Sequence, residues 1–279
     1  MDWKGREQSQ NVEDRRGSSG GGGGGRTPGI LGIIVVLVGA YYGVDLSGLV
    51  GTPSMGTGST QTSQLKPQEE AELNELARVV LADTEKAWGS YFKQIGRTYT
   101  PTTMVLYNGG TSTACGMGQS AMGPFYCPGD QKVYLDLDFY RDMQTKLNSA
   151  SDAAFAYVIA HEVGHHIQNL LGILPKIHRM QQQVGKKEAN ALSVKLELQA
   201  DCYAGIWGHY AVNNNIFKPE DIPKAMLAAE SVGDDRLQKD GQGYVVPDSF
   251  THGSSEQRMA WLKRGLDSGD INQCNTFGN

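Results

Sequence analysis

One short motif inside an apolar segment limits what this chain can fold into. The motif is HEVGH at residues 161–165, and the apolar side chains around it recur at helical spacing. Ser151 or Asp152 can cap that helix at its start, and the pattern predicts an end near Leu171. Residues four positions apart on a helix share one face. We therefore expect a buried helix that turns both histidines of the motif toward the same neighbour.

The three polar residues of the motif are those that a catalytic zinc site uses. Zn²⁺ accepts histidine nitrogens at about 2.0–2.1 Å, so His161 and His165 can bind one ion. Glu162 lies beside the first histidine, where it can take a proton from water and pass it to a leaving amine. A surface helix with incidental histidines is the alternative, and the apolar neighbours oppose it. His166 points about 100° away and is expected to be structural.

A catalytic zinc site also needs a third protein ligand. Leu171 stands where a HExxHxxGxxH motif would have its last histidine, which excludes that class. Glu197 is favoured because Asp201 lies one turn further along the same predicted helix, where it could hydrogen-bond a ligating histidine. A solvated helix face is the alternative for this pair. The downstream candidates together are His178, Glu188, Glu197, Asp201, His209 and His252.

The remaining pattern predicts an α+β fold that is mostly helical, with a small antiparallel or mixed sheet. Residues after Pro101 and at 132–137 predict two strands, and PGD at 128–130 predicts a hairpin turn. Helices are predicted over residues 68–95, 139–148, 187–212 and 222–233, and from Ser254 or Ser255 to Gly265.

The charge balance excludes one class of partner. The net charge is −5, and no basic stripe runs along the sequence. Nucleic acid is therefore not an expected partner. Hydrophobic residues make up 39% of the chain, which is enough for a buried core. The sequence makes no prediction about oligomeric state.

The N-terminal region has the organisation of a membrane protein. An uninterrupted glycine run at residues 20–25 lies in a polar segment that predicts disorder. The next segment contains 16 uncharged residues, from 29 to 44, and predicts one transmembrane helix near the lower length limit. The division that follows is a disordered cytoplasmic tail at 1–27, an anchor at 28–50, a flexible linker at 51–66 and a metal-binding domain at 67–279.

Basic residues predict the direction in which this anchor faces. After the apolar run the next basic residue is Lys66, so the positive-inside rule keeps the N-terminus in the cytoplasm. The domain would then lie in the periplasm or outside the cell. A cleaved signal peptide ending near Ala40 is the alternative, and the long preceding tail opposes it. The basic residues before the run are Lys4, Arg6, Arg15, Arg16 and Arg26.

Four cysteines suit such an oxidising compartment. Cys115 and Cys127 flank a glycine-rich, turn-like segment and are close enough for a local disulfide. Cys202 and Cys274 would then pair, although four cysteines allow three connectivities. Buried free thiols are the alternative. The absence of a CxxC pair argues against a zinc site made of cysteines.

Five segments together resemble one protein family. They are HEVGHHIQ, LELQADCYAG, GPFYCPGDQKVYLD, HGSSEQRMAWLKRG and the N-terminal MDWKGREQSQNVEDRRG. In this order they resemble the bacterial YpfJ-like neutral zinc metallopeptidases, over nearly the whole chain. The resemblance implies a membrane-anchored, gluzincin-like fold with one Zn²⁺ per chain. It also implies that His161, His165 and Glu197 are the ligands and Glu162 the general base and acid.

The resemblance implies two further features of the site. A strand near residues 132–137 would border the cleft, where a peptide could add as an extended strand. His252, followed by Arg258, resembles a downstream segment of related gluzincins, and either residue could stabilise an oxyanion or organise the site. A helix-capping loop held by the arginine is the alternative, and Tyr203 and His209 are rival donors.

These observations favour a zinc peptidase that acts on peptides or proteins near the outer face of a membrane. A non-catalytic zinc-binding module of the cell envelope is a second hypothesis, which the intact Glu162 opposes. Hydrolysis of another amide, such as a cell-wall peptide, is a third, because it would use the same ligands.

Overall fold

A computed structural model describes residues 1–17 and 63–278. Within these ranges the helices of the fold, in chain order, are α1 Pro67–Gln94, α2 Phe139–Thr145, α3 Asp152–Leu170, α4 Ile173–Gln181, α5 Lys186–Asn213, α6 Ile222–Ser231, α7 Asp234–Gln242 and α8 Ser255–Ser268. The strands are β1 Val12–Asp14, β2 Thr103–Tyr107, β3 Gly110–Thr113, β4 Gly116–Gln119, β5 Phe125–Cys127 and β6 Lys132–Asp136.

The predicted α+β class with a small mixed sheet is confirmed. Four strands lie in the order β1-β2-β6-β5, and β3 pairs with β4 in a separate antiparallel hairpin. β1 and β6 are both parallel to β2, whereas β5 and β6 form the antiparallel hairpin predicted around residues 128–130. Parallel neighbours need long connections between them, and these carry the chain away from the sheet and back.

The sheet and the helices share one apolar core. Side chains alternate across each strand, so Met104 and Leu106 of β2 face the helices while Val105 and Tyr107 face a smaller cluster on the other side. The helix that carries the motif, α3, lies at the centre and contacts α1, α5, α6 and the strands β5 and β6. Ser151 caps it by accepting a hydrogen bond from the backbone N–H of Ala154 at 3.0 Å.

Two helices cross unusually closely behind the motif helix. A Cβ at Gly265 of α8 would lie 1.9 Å from the backbone oxygen of Cys202, and one at Gly205 of α5 would lie 2.2 Å from that of Leu262. Only glycine fits at either position, because the facing atoms belong to the backbone. The crossing packs the C-terminal half of α8 against the middle of α5.

The predicted disorder of residues 1–27 is wrong for residues 1–17, which fold onto the domain. Trp3 is 4% exposed and packs in the main core. β1 adds to the edge of the sheet beside β2. Packing against a preformed surface offsets the ordering entropy that the polar composition alone could not. Residues 18–27 lie outside the described residues.

No helix in the described part of the chain is long and apolar enough to cross a membrane. The predicted anchor at residues 28–50 and the linker up to residue 62 lie outside the described residues.

β6 does not have the free edge that the expected addition of a peptide strand requires. It pairs with β2 on one side and with β5 on the other, so both of its edges are already hydrogen-bonded. An incoming peptide could not add to it. The strand next to α3 at the edge of the sheet is β5.

The structure joins Cys115 to Cys127 and Cys202 to Cys274, with Cα–Cα distances of 5.8 Å and 5.6 Å. This is the pairing that the sequence favoured among three. The second bridge ties the C-terminal 3₁₀ turn at Ile271–Cys274 to the middle of α5.

Candidate metal centre

Two helices bring three potential ligands together. His161 and His165 lie on α3 and Glu197 lies on α5, and their ligand atoms fall within 4.8 Å of one another. The Glu197 carboxylate lies 3.1 Å from His161 Nε2 through Oε2 and 3.4 Å from His165 Nε2 through Oε1. Two ligands on a zinc tetrahedron are roughly 3.3 Å apart. The donor set of two imidazoles and one carboxylate therefore fits Zn²⁺ in both type and spacing.

Gly164, inside the motif, sets the distance between these helices. A Cβ there would lie 3.0 Å from the backbone oxygen of Ala200 and 3.3 Å from its Cα. That separation is tighter than ordinary van der Waals contact, and a backbone atom cannot turn aside as a side chain can. The missing side chain thus lets α3 approach α5 closely enough for its histidines to reach Glu197.

Each histidine of the cluster is oriented by a hydrogen bond at Nδ1. His161 Nδ1 lies 2.8 Å from Oδ1 of Asp201, and His165 Nδ1 lies 2.9 Å from Oε1 of Gln168. Both acceptors hold a proton on Nδ1, which leaves Nε2, on the side of Glu197, as the atom that would bind the metal. Asp201 stands one turn beyond Glu197, where the sequence predicted an outer carboxylate.

Asp201 is fully buried and is held by two donors besides His161. Tyr157 Oη donates to its Oδ1 at 2.6 Å. Arg258, on α8, donates from Nε to Oδ2 at 2.8 Å and from Nη2 to Oδ1 at 3.0 Å. Burial alone would raise the pKa of Asp201, but the positive charges of Arg258 and His161 outweigh it and lower the pKa to about 2. The carboxylate stays ionised while it orients the imidazole.

Glu162 is 8% exposed, and the charges of His161, His165 and Glu197 act on its carboxyl group. Burial raises the pKa of its carboxyl group, and the imidazoles of His161 and His165 act against that rise. A carboxylate with a raised pKa is a stronger base than one in water. Glu162 thus has the position and the environment of a general base.

His252 is held beside the site by Asp234, the first residue of α7. Oδ2 of Asp234 accepts the backbone N–H groups of Thr251, His252 and Gly253 at 2.8, 2.6 and 2.9 Å. His252 Nδ1 lies 3.2 Å from Oδ1 of the same carboxylate. Burial lowers the pKa of His252, but the hydrogen bond to Asp234 and the charge of Glu197 outweigh it, so the pKa is raised. This favours the protonated imidazole, which is a hydrogen-bond donor.

The other candidates from the sequence lie apart from the cluster. Tyr203 packs in the core against Trp88, with ring centroids 5.6 Å apart. The Nδ1 of His209 bonds to the backbone oxygen of Leu266 at 2.9 Å. Glu188 is exposed in the first turn of α5. None of these residues belongs to the group that could hold a metal.

His178 and His166 are likewise outside that group. Burial lowers the pKa of His178, and the positive charge of His165 adds to the effect. Nε2 of His166 bonds to the backbone oxygen of Thr100 at 2.7 Å, and its Nδ1 lies 3.0 Å from Tyr126 Oη. His166 is therefore structural, as its position on the helix predicted.

Three residues of the site were missed at the level of sequence. Tyr157 precedes His161 by one helical turn and Gln168 follows His165 by nearly one, so helix-face reasoning could have found both. Asp234 has no such signal, because it reaches His252 across a loop from a different helix.

The match to a known protein family covers almost the whole chain. Residues 1–277 match the family described as "Putative neutral zinc metallopeptidase". The chain belongs to this family. Family membership and the His161, His165 and Glu197 group together identify zinc as the cofactor.

Relatives occur in distant bacteria. The chain is 54% identical over 287 residues to the uncharacterized protein YpfJ of Escherichia coli strain K12, covering 100% of this chain and 99% of that protein. It is 40% identical over 219 residues to the uncharacterized protein Mb2605 of Mycobacterium bovis, covering 74% of this chain and 73% of that protein. No solved structure matches.

Proposed function

We propose that this protein hydrolyses peptide bonds with the zinc ion held by His161, His165 and Glu197. The observation that carries the proposal is the buried Glu162 carboxylate, set between two ligating residues on α3. A site that bound zinc only for stability would gain nothing from a carboxylate whose pKa is raised by burial. Membership of the metallopeptidase family supports a peptide as the substrate.

The zinc ion, when bound, polarises the scissile carbonyl and lowers the pKa of water. Glu162 takes a proton from the attacking water and delivers it to the leaving amine, which restores the carboxylate. Asp201 and Gln168 keep the two imidazoles in the tautomer that ligation requires. His252, oriented by Asp234, donates a hydrogen bond to the developing oxyanion.

A conservative substitution of the proposed base tests this function. We expect Glu162→Gln to lower the rate of cleavage of a peptide library by about 10²–10⁴-fold, because the amide cannot accept the proton. Bound zinc, measured by elemental analysis, should stay near one per chain. Glu188→Gln is the matched control, because Glu188 is exposed in the first turn of α5. Equal cleavage by the Glu162 variant and the wild type would refute the proposal.

We further propose that the domain works outside the cytoplasm. The two disulfides support this location, because such bonds persist in oxidising compartments and are rare where thiols are kept reduced. Non-reducing mass spectrometry of protein taken directly from cells tests it. Four free thiols in the freshly isolated chain would contradict the location, whatever the result with Glu162.

A further inference from the structure

The first seventeen residues form an N-terminal arm, residues 1–17, that is fastened to the domain along its length. At one end, the amino group of Met1 forms an ion pair with Asp221 at 2.8 Å. Next to it, Trp3 Nε1 donates to Oδ2 of Asp152 at 2.7 Å, at the first residue of the motif helix α3. At the other end, β1 pairs in parallel with β2 over three residues.

The middle of the N-terminal arm is held by α1. Ser9 Oγ donates to Oε1 of Glu85 at 2.7 Å, and Asn11 Nδ2 donates to the same oxygen at 2.8 Å. Glu7 forms an ion pair with Lys86 at 2.7 Å. Contacts to a helix, a strand and the start of the motif helix make the arm part of the domain.

The basic residues of the N-terminal arm, which predicted a cytoplasmic N-terminus, have partners in this fold. Arg15 and Lys132 both pair with Glu13, and these hydrogen bonds lower the pKa of Glu13 to about 2. Arg16 bonds to Glu70 of α1 at 2.9 Å, and it also pairs with its neighbour Asp14. Arg6 donates to the backbone oxygens of residues 214 and 215. Arg6, Arg15 and Arg16 are therefore held in place by the folded domain, and moving the arm away would break these contacts.

The docking of the N-terminal arm conflicts with a single membrane crossing between the arm and residues 63–278. A single span at residues 28–50 would put the N-terminal arm on one side and residues 63–278 on the other, where they could not touch. The uncharged run of 16 residues also cannot cross twice. A helix of that length would be about 24 Å long, whereas two crossings of the ~30 Å hydrocarbon core would need more than twice as much.

We propose that the N-terminal arm and the metal-site domain lie on the same side of the membrane, docked as one unit. A single crossing by residues 28–50 then requires the arm to leave the domain first. Release would break the parallel pairing of β1 with β2, expose Trp3 and free the Asp152 carboxylate at the start of the motif helix. The docked fold and a single-pass anchor therefore exclude each other in one molecule.

Side-specific labelling of the full chain in bacterial cells tests the first half of this proposal. Lys4→Cys and Tyr244→Cys each add one thiol at an exposed position, since Lys4 is 70% exposed and Tyr244 is 62% exposed. The parent chain is the control for background, because all four of its cysteines are paired. A membrane-impermeant maleimide is added to spheroplasts and, separately, to lysed cells.

The two thiols should behave alike. If both thiols are labelled in intact spheroplasts, or if both are protected until the cells are lysed, the arm and the domain lie on the same side. Labelling of one and protection of the other in the same preparation overturns the proposal and restores the single-pass anchor.

Cross-linking in the same cells tests docking itself. Glu7→Cys with Lys86→Cys replaces a surface ion pair whose side chains are 69% and 51% exposed, so little packing is lost. A short bismaleimide should join the two cysteines in most of the chains, read as a linked tryptic peptide by mass spectrometry. The two single variants are controls that cannot give this product. A shared side without the linked peptide would also overturn the proposal.

Discussion

Arg258 binds Asp201 through two hydrogen bonds, from Nε to Oδ2 at 2.8 Å and from Nη2 to Oδ1 at 3.0 Å. Asp201 in turn orients His161, so a residue on α8 controls a ligand on α3 through a carboxylate on α5. The close crossing of α5 and α8 at Gly205 and Gly265 makes this reach possible. Arg258 is thus a positioning residue for the metal site.

Removing that arginine should destabilise the whole domain. Arg258→Met leaves the Asp201 charge buried without its main partner, and breaking such a pair costs about 3–5 kcal/mol. Urea unfolding of the zinc-loaded protein measures this loss. In a double-mutant cycle, adding Asp201→Asn should recover part of it, because the remaining group is then neutral. A double variant as unstable as the sum of both single variants would show that the two residues act independently.

The sequence predicted the elements that depend on local pattern. The start of α3 at its Ser151 cap and its end near Leu171 follow from capping chemistry and apolar spacing. The ligand pair His161 and His165 follows from helix geometry, and the position of Glu197 relative to Asp201 follows from the same rule on α5.

What depends on tertiary packing was not predictable in this way. The N-terminal arm has a polar sequence, and its short strand β1 is stabilised by the edge of β2 rather than by its own residues. The resemblance implied that a peptide could add to β6, but both of its edges are paired, and the sequence of one strand does not determine the order of strands in a sheet. No helix was predicted at Ile173–Gln181, where Pro175 lies in the first turn of α4 and its missing N–H has no cost.

The hydrogen bond from His165 to Gln168 should contribute to zinc affinity. Gln168→Leu removes the acceptor at Nδ1 and lets the ring rotate, and the loss of such a partner typically weakens metal binding by about 10–100-fold. Competition with a chromophoric chelator measures the dissociation constant. Gln181→Leu is the matched control, because Gln181 bonds to Ala189 and Ser193 of α5 and to neither ligand. Equal affinities in the two variants would contradict this assignment.

The pair formed by Asp234 and His252 should give stability that depends on pH in both directions. The pKa of Asp234 is lowered from its ordinary value of 3.8, so its contribution is present above pH 3.8 and is lost as the pH falls through the lower, folded-state pKa. The pKa of His252 is raised from 6.5, so its contribution is complete below pH 6.5 and is lost as the pH rises through the higher, folded-state pKa.

Asp234→Asn should therefore destabilise the protein most between about pH 4 and pH 6.5, by about 2 kcal/mol, the strength of a hydrogen bond to a charged group. Urea unfolding at pH 5 and at pH 9, with equal zinc content, measures the difference between variant and wild type. Asp235→Asn is the control. The Asp235 carboxylate accepts hydrogen bonds from the backbone N–H and the hydroxyl of Ser255 and bonds to no histidine, so this substitution should change the unfolding free energy equally at both pH values. A constant effect of Asp234→Asn would show that only its backbone contacts matter.

Zinc binding should release protons, because the raised pKa of His161 keeps its imidazole protonated in the metal-free protein. Burial opposes the charge on His161, but Asp201 and Glu197 outweigh it and raise its pKa to about 10. A metal takes only the neutral imidazole, so His161 must lose a proton when zinc binds near pH 8. Calorimetric titration in buffers of different ionisation enthalpy gives the number of protons released, and we expect about one or more per zinc ion. Asp201→Asn removes the main cause of the raised His161 pKa, so this variant should release fewer protons at pH 8. As the pH is lowered from 9 to 7, the zinc affinity of the variant should fall less steeply than that of the wild type. No proton release by the wild type at pH 8 would mean that His161 is already neutral there, and the ion pair with Asp201 would not then compete with the metal.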